Sequence, residues 1–317
     1  MFSTGALLSL TCLVCSVLGT TWKQSDSYVG TQFLSGFDHM AIADPTHGRV
    51  NYLDQATAVQ KNITYAHGNT LILRADHTTK LSASGPGRDS FRLMSKKTYT
   101  NHVTVWNVRH MPRGCGTWPA LWEFGANWPA QGEVDIMEGV NGHGSNQATL
   151  HTTAGCTVGG SRSMTGTSLG TNCDVAATGN AGCSVFDTSS KSFGINFNSN
   201  GGGFFAMERS SSGVKVWFWP RHASNIPSDV LNGATSVNTA NWGTPMADFP
   251  STSCDMASHF GPHNIVINLT FCGDWAGQAA IYNSQDGCSG SCVDNVNNNP
   301  GSFDWAYFDV AWLKIYQ

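Results

Sequence analysis

Along the chain, short runs rich in β-branched and aromatic residues alternate with clusters of Gly, Asn, Ser and Pro. Leu71-Ile72-Leu73, Val103-Thr104-Val105-Trp106, Phe204-Phe205-Ala206-Met207 and Val214-Lys215-Val216-Trp217-Phe218-Trp219 are of this kind, and runs of that composition bounded by turn residues read as strands. Ile265-Val266-Ile267-Asn268-Leu269 continues the series, and the run 307–316 places a last strand at the C-terminal end of the sequence. Nowhere does apolar spacing of 3.6 residues persist long enough for a substantial amphipathic helix. The pattern predicts an all-β fold of two antiparallel sheets packed face to face, with long loops walling one side.

The longest stretch without strand character, 157–196, is dense in Gly, Ser, Thr and Asn and carries Cys173 and Cys183. Loops of that length inside a domain are functional or stapled. Apolar strands on either side and the embedded cysteines favour an ordered surface loop over a linker between domains. With no internal repeat, the expected organisation is one domain over 21–317 behind a leader at 1–20.

Composition sharpens this picture. Of 317 residues only 12% are charged, while there are 35 glycines and 11 tryptophans, a balance that suits a loop-rich β protein. The formal net charge is −4 and no run of Lys or Arg occurs, so a nucleic-acid partner is not expected. Segment 5–19 is apolar, short for a membrane span, and followed by polar residues, which reads as a secretory signal cleaved near Gly19 or Thr20. Its start, Met1-Phe2-Ser3-Thr4, departs from the usual pattern in having no Lys or Arg. A buried N-terminal helix of the mature domain is the competing reading, weakened because the segment has no polar face to turn to water. The expected protein is therefore secreted, monomeric and without a membrane anchor.

Cleavage would leave Cys115, Cys156, Cys173, Cys183, Cys254, Cys272, Cys288 and Cys292, an even set suited to an oxidising compartment. Eight cysteines allow 105 pairings; the spacing of Cys288 and Cys292 suggests a local bridge. A zinc site is disfavoured, since no CxxC pair or His-rich partner accompanies these eight. Asn62-Ile63-Thr64 and Asn268-Leu269-Thr270 fit the glycosylation sequon, the second inside an apolar run.

The candidate chemistry lies in Gly132-Glu133-Val134-Asp135-Ile136-Met137-Glu138-Gly139. Three acids interleave with apolar residues at period two, which argues for a strand. On a helix, at about 100° per residue, the acids would not converge. On a regular strand Glu133 and Asp135 share a face but Glu138 points away. A β-bulge at Ile136-Met137 absorbs the odd residue and returns Glu138 to that face. Crowding three carboxyls has no structural benefit, because each raises the others' pKa. Retaining glycoside hydrolysis does use such a pair: one ionised carboxylate as nucleophile and one protonated carboxyl as acid. The spacing assigns Glu133 as nucleophile, Glu138 as general acid/base and Asp135 as the carboxyl between them that orients Glu133 and shares a proton. A calcium site or a solvated acidic face are the bland alternatives. Calcium loops favour Asp, Asn and Gly rather than Val, Ile and Met between the acids, and a solvated face needs no bulge. Upstream, Trp118 and Trp122 are four apart and share one face of a strand, where aromatic rings suit the apolar faces of sugars; filling the core is the alternative for each.

With Glu133-Val134-Asp135-Ile136-Met137-Glu138 the chain resembles glycoside hydrolase family 16, in particular its secreted fungal laminarinase-like endo-β-1,3(4)-glucanases with the longer, bulged Glu-x-Asp-x-x-Glu signature. The segments 43–52, 114–120 and 268–277 look like that family as well. The resemblance implies a concanavalin-like β-jelly-roll sandwich with a concave cleft, retaining hydrolysis of β-glucan polysaccharide or oligosaccharide, and no organic cofactor; no site residue is assigned to a metal, and a structural calcium stays open. It also implies that His151 sits near the acid/base and that Trp275 and Arg92 face the cleft. In Trp128-Pro129-Ala130-Gln131-Gly132, Ala-Gln stands where the family pattern has Asn-Gly, which touches local loop contacts and not the acids. Two other functions stay in view: a glycan-binding module that lost hydrolysis, against which the intact acids argue, and a wall-remodelling transglycosylase using the same two carboxylates.

Overall fold

In the strand Thr117–Gly125, Thr117, Leu121 and Glu123 are sealed from solvent while Trp118, Trp122 and Phe124 are partly exposed. That alternation, one face to a core and one to a groove, is how the sequence builds its sheets. The computed structural model describes residues 21–317; the expected leader, 1–20, lies outside the described residues.

Two large antiparallel sheets pack face to face, as expected. The sheet that carries the acids runs in the order Thr167–Ser168, Cys183–Phe186, Gln147–His151, Glu133–Glu138, Thr117–Gly125, His263–Phe271, Arg92–Tyr99, Phe37–His39. The opposing sheet runs Ser236–Asn238, Thr21–Tyr28, Tyr307–Tyr316, His102–His110, Gly203–Ser210, Gly213–Pro220, Ala247–Pro250, with Thr64–His67 and Thr70–Arg74 joined through Tyr307–Tyr316. Every strand run read from the sequence lies in one of these strands. No α-helix among the described residues exceeds seven residues, and none is long and apolar enough to cross a membrane.

The core is double. Val134, Ile136, Leu121, Ile265, Ile267, Trp106, Phe205, Val214 and Val216 fill the space between the sheets. Trp217, Trp219, Val103, Val105, Phe204, Trp22 and Trp242 form a second apolar layer on the far side of the opposing sheet. Val214-Val216 and Trp217-Trp219 thus serve two layers from one strand. Between the sheets sits one charged cluster. Glu123, with no exposed surface, accepts from His102 Nε2 at 2.9 Å and His263 Nδ1 at 3.1 Å, with Arg209 Nη1 at 3.5 Å. Burial alone would push this carboxyl up, but the His102 and Arg209 charges and both histidine hydrogen bonds hold it well below the ordinary range. His102 and Arg209 belong to one sheet and Glu123 and His263 to the other, so the cluster ties the sheets together.

Two expectations are corrected. The stretch 157–196 is not one loop: Thr167–Ser168 and Cys183–Phe186 extend the acid-bearing sheet, and Val175–Thr178 and Gly194–Ser199 are short helices. Its strands, two and four residues long, are too short to stand out by periodicity. Nor does Cys288 pair with Cys292. The bridges are Cys115–Cys288, Cys156–Cys254, Cys173–Cys183 and Cys272–Cys292. Ser291 caps the helix Cys292–Asn298, so Cys292 opens that helix and turns to Cys272, leaving Cys288 to Cys115. The second sequon is also occupied by structure: the Asn268 side chain is buried and hydrogen-bonded to Trp122 and Tyr52.

The Cys115–Cys288 bridge closes a separation of 173 residues, and constraint of the unfolded chain grows with loop length. Replacing both cysteines by Ser lowers the unfolding free energy by about 3–5 kcal/mol, to be measured by urea unfolding under non-reducing conditions.

Candidate active site

The strand Glu133–Glu138 pairs on one side with Thr117–Gly125 and on the other with Gln147–His151. Glu133 stands opposite Phe124 and His151, Asp135 opposite Trp122 and Thr149, and Glu138 opposite Ala120 and Gln147. The register shifts after Asp135 on both sides. The bulge anticipated at Ile136-Met137 is there: Val134, Ile136 and Met137 all enter the core, and Glu133, Asp135 and Glu138 share the face turned away from it.

Two of the backbone groups at the irregularity are met by one side chain. Asn146 donates from Nδ2 to the Ile136 carbonyl at 3.0 Å and accepts at Oδ1 from the Glu138 N–H at 2.9 Å.

All three carboxyls titrate high. Burial, then the neighbouring Asp135 charge, pushes Glu133 up to about 8. Burial pushes Asp135 to about 7, opposed by a hydrogen bond with Glu133. Glu138 is raised well above its ordinary value by burial and then by Asp135. Ionising any one of the three therefore raises the cost of ionising the next. Crowded acids lose their protons in steps because a second charge is costlier than the first.

Aromatic and basic groups gather at the same face. The Trp118 indole donates to Glu138 Oε1 at 2.8 Å and meets Trp275 edge-on, with ring centroids 5.6 Å apart. Trp122 donates to Asn268 Oδ1 at 2.8 Å, and the Arg92 guanidinium lies 4.9 Å over its ring. Asn268 in turn donates to the Tyr52 hydroxyl. The structure thus brings Trp118, Trp122, Trp275 and Arg92 into the neighbourhood of the acids. His151 sits opposite Glu133, with Nε2 3.2 Å from Asp135 Oδ2, and is near enough to act on Glu138 as well. Glu133, Asp135 and His151 each offer one donor atom, all within 4.8 Å of one another, a set able to hold a divalent cation.

Sequence reasoning missed Trp128, which is 42% exposed and lies near enough to Glu133 to oppose the rise of its carboxyl; a tryptophan five residues before an acid was the available signal. It also missed Asn146, which meets backbone groups eight and ten residues upstream across the bulge, and Asn268, whose partners lie 146 and 216 residues away.

A jelly-roll sheet with crowded carboxyls and tryptophans on its open face is the kind of site that carbohydrate-active proteins carry. Residues 37–316 match the family described as XgeA-like, catalytic GH16 domain, and the chain belongs to glycoside hydrolase family 16. It is 46% identical over 300 residues to a probable glycosidase of Schizosaccharomyces pombe, covering 94% of this chain and 70% of that protein. It is 40% identical over 327 residues to a probable endo-1,3(4)-beta-glucanase of Aspergillus niger, covering all of this chain but only 43% of that protein. The chain thus spans less than half the length of that relative. Among solved structures it resembles GH16 laminarinase 16A from Phanerochaete chrysosporium, seen with two beta-glucans in donor and acceptor sites, at 60% identity and a TM-score of 0.93, covering 94% of this chain and 100% of that one. It also resembles an elongating GH family 16 beta-1,3-glucosyltransferase at 36% identity and a TM-score of 0.86, covering 93% and 100%.

The raised Glu133 carboxyl predicts a pH-dependent stability cost. Between the unfolded value of 4.5 and the folded value of about 8, the unfolded chain releases a proton that the folded chain retains. Stability therefore falls as pH rises through that window. Glu133→Gln removes the penalty: at pH 7 it raises the unfolding free energy by about 1–3 kcal/mol, and the gain vanishes at pH 4. Urea unfolding of both proteins at the two pH values checks this.

Proposed function

We propose that the chain is a retaining, endo-acting β-glucanase that hydrolyses β-1,3-glucan and mixed-linkage β-1,3-1,4-glucan. One observation carries the reading: three carboxyls share one face of a bulged strand, with Trp118 bonded to the last of them. The glucan-bound laminarinase among its structural relatives supports the substrate class.

In the first step the Glu133 carboxylate attacks the anomeric carbon as the glycosidic C–O bond breaks, and Glu138 gives its proton to the departing oxygen. For this step the proton of the Glu133–Asp135 pair lies on Asp135 and Glu133 is ionised, the reverse of the resting preference, in which Glu133 at about 8 holds a proton more tightly than Asp135 at about 7. In the second step Glu138, now ionised, removes a proton from water; the water oxygen attacks the same carbon and Glu133 leaves as carboxylate. Burial and then the Asp135 charge raise Glu138, the direction that favours the protonated form a general acid needs. Trp118 holds its carboxyl by the indole N–H, and Trp122, fixed by Asn268 and Arg92, offers a ring for a sugar face.

Secretion belongs to the same reading, supported by the apolar segment 5–19 and four disulfides. Asn62, exposed beside the strand Thr64–His67, is the sequon open to a glycan. Transfer to a second sugar is the alternative outcome of the same intermediate, and the likeness to an elongating glucosyltransferase favours keeping it in view. Longer products formed from laminari-oligosaccharides at high concentration would reveal it.

Two measurements test the proposal. The protein releases new reducing ends from β-1,3-glucan and from mixed-linkage glucan, and Glu133→Gln reduces the rate roughly 10³-fold or more; glucan bound by the wild type without cleavage points to a binding module instead. Asp135→Asn removes a negative charge that raises both glutamates, so both limbs of the bell-shaped pH profile of its residual activity move to lower pH.

A further inference from the structure

The bulge that turns Glu138 into the cleft has an identifiable support. In a regular antiparallel ladder each N–H and C=O finds its partner on a neighbouring strand; an extra residue disrupts the ladder locally. Here Asn146 meets the Ile136 carbonyl and the Glu138 N–H with the two ends of one amide. Because one partner only accepts and the other only donates, the orientation of the amide is fixed by chemistry. Aspartate lacks the donor, and serine is too short to bridge both groups.

Asn146 is itself held from behind. It is fully buried, its N–H donates to Ser192 Oγ at 2.9 Å, and its carbonyl accepts from the Asp187 N–H at 2.8 Å. Ser192 Oγ donates to the Ser189 carbonyl, and the Ser189 N–H donates to Asp187 Oδ1, both at 2.8 Å. The turn 187–192 is thereby closed against Asn146. Phe193, next in sequence, packs on Gly139 so closely that an added Cβ there would stand 2.6 Å from its ring. The turn thus presses the end of the acid-bearing strand at two points.

We propose that Asn146 is a positioning residue: its amide fixes the bulge, and the bulge sets the Glu138 carboxyl on the face shared by Glu133 and Asp135. Without the clamp the strand can recover ordinary pairing by slipping one residue, which turns side chains to the opposite face. The inference rests on the acid/base role proposed for Glu138, but the clamp can be tested separately.

The test compares wild type with Asn146→Ala and Asn146→Asp, each first shown to unfold cooperatively. On β-1,3-glucan, kcat of Asn146→Ala falls about 10²-fold, the lower range of what general acid catalysis supplies, and KM changes less than about threefold. On a 2,4-dinitrophenyl β-glucoside, whose leaving group needs no proton, single-turnover release stays within about threefold of wild type. Asn146→Asp keeps the shape and the acceptor for Glu138, loses the donor, and falls between the two. Equal losses on both substrates, a loss confined to KM, or wild-type kinetics in both variants overturns the proposal. Amide hydrogen exchange at 136–138 needs no substrate: the Glu138 amide is protected in wild type and loses protection in Asn146→Ala. Unchanged protection overturns the clamp even in an active enzyme. If wild type cleaves no glucan, the functional reading fails while the exchange contrast still decides the clamp.

Discussion

Everything in the site depends on one extra residue in one strand. Period-two geometry alone would put Glu138 in the core beside Leu121 and Ile267, where a carboxyl would stand unpaired. By absorbing Met137 into the core, the strand keeps its apolar face continuous and gains a third acid on its open face. The meeting of Trp118 with Glu138 follows from the same shift. A chain that lost the bulge would keep the sandwich and lose the constellation.

Two glutamates on neighbouring strands show what partners do to a buried carboxyl. Glu123 and Glu133 lie on adjacent strands, the first facing the core and the second the groove. Two histidines and an arginine hold Glu123 well below the ordinary range, and it ties the sheets together. Glu133 faces Asp135 and is pushed up to about 8, a local cost to folding that the double core and four disulfides offset. Burial raises a lone carboxyl in either place; the neighbouring charges decide the direction. The site is therefore a place where the sequence gives up stability for chemistry.

Much of this was legible beforehand. The strands at 71–73, 103–106, 204–207, 214–219, 265–269 and 307–316 announced themselves by composition, and the acids by a spacing that made sense only with a bulge. Contacts between distant segments were not legible. Asn146 reads as an ordinary loop asparagine until the Ile136 carbonyl is seen beside it, and Asn268 reads as a sequon until Trp122 and Tyr52 occupy its amide. Cys288 and Cys292 look like natural partners because spacing is visible in a sequence and helix direction is not. The strands in 157–196 have too few residues for alternation to register; Cys183–Phe186 is held by pairing to Gln147–His151, and Thr167–Ser168 by pairing to Cys183–Phe186.

The central claim is that Glu133 forms a covalent bond to the sugar while Glu138 handles the proton. The most direct measurement incubates the protein with a laminari-oligosaccharide bearing a 2-fluoro substituent and an activated leaving group, then maps the labelled peptide by mass spectrometry. The account predicts one glycosyl adduct, on Glu133, formed with loss of the leaving group. An adduct on Glu138 or Asp135, or inverted product with no adduct, would contradict it.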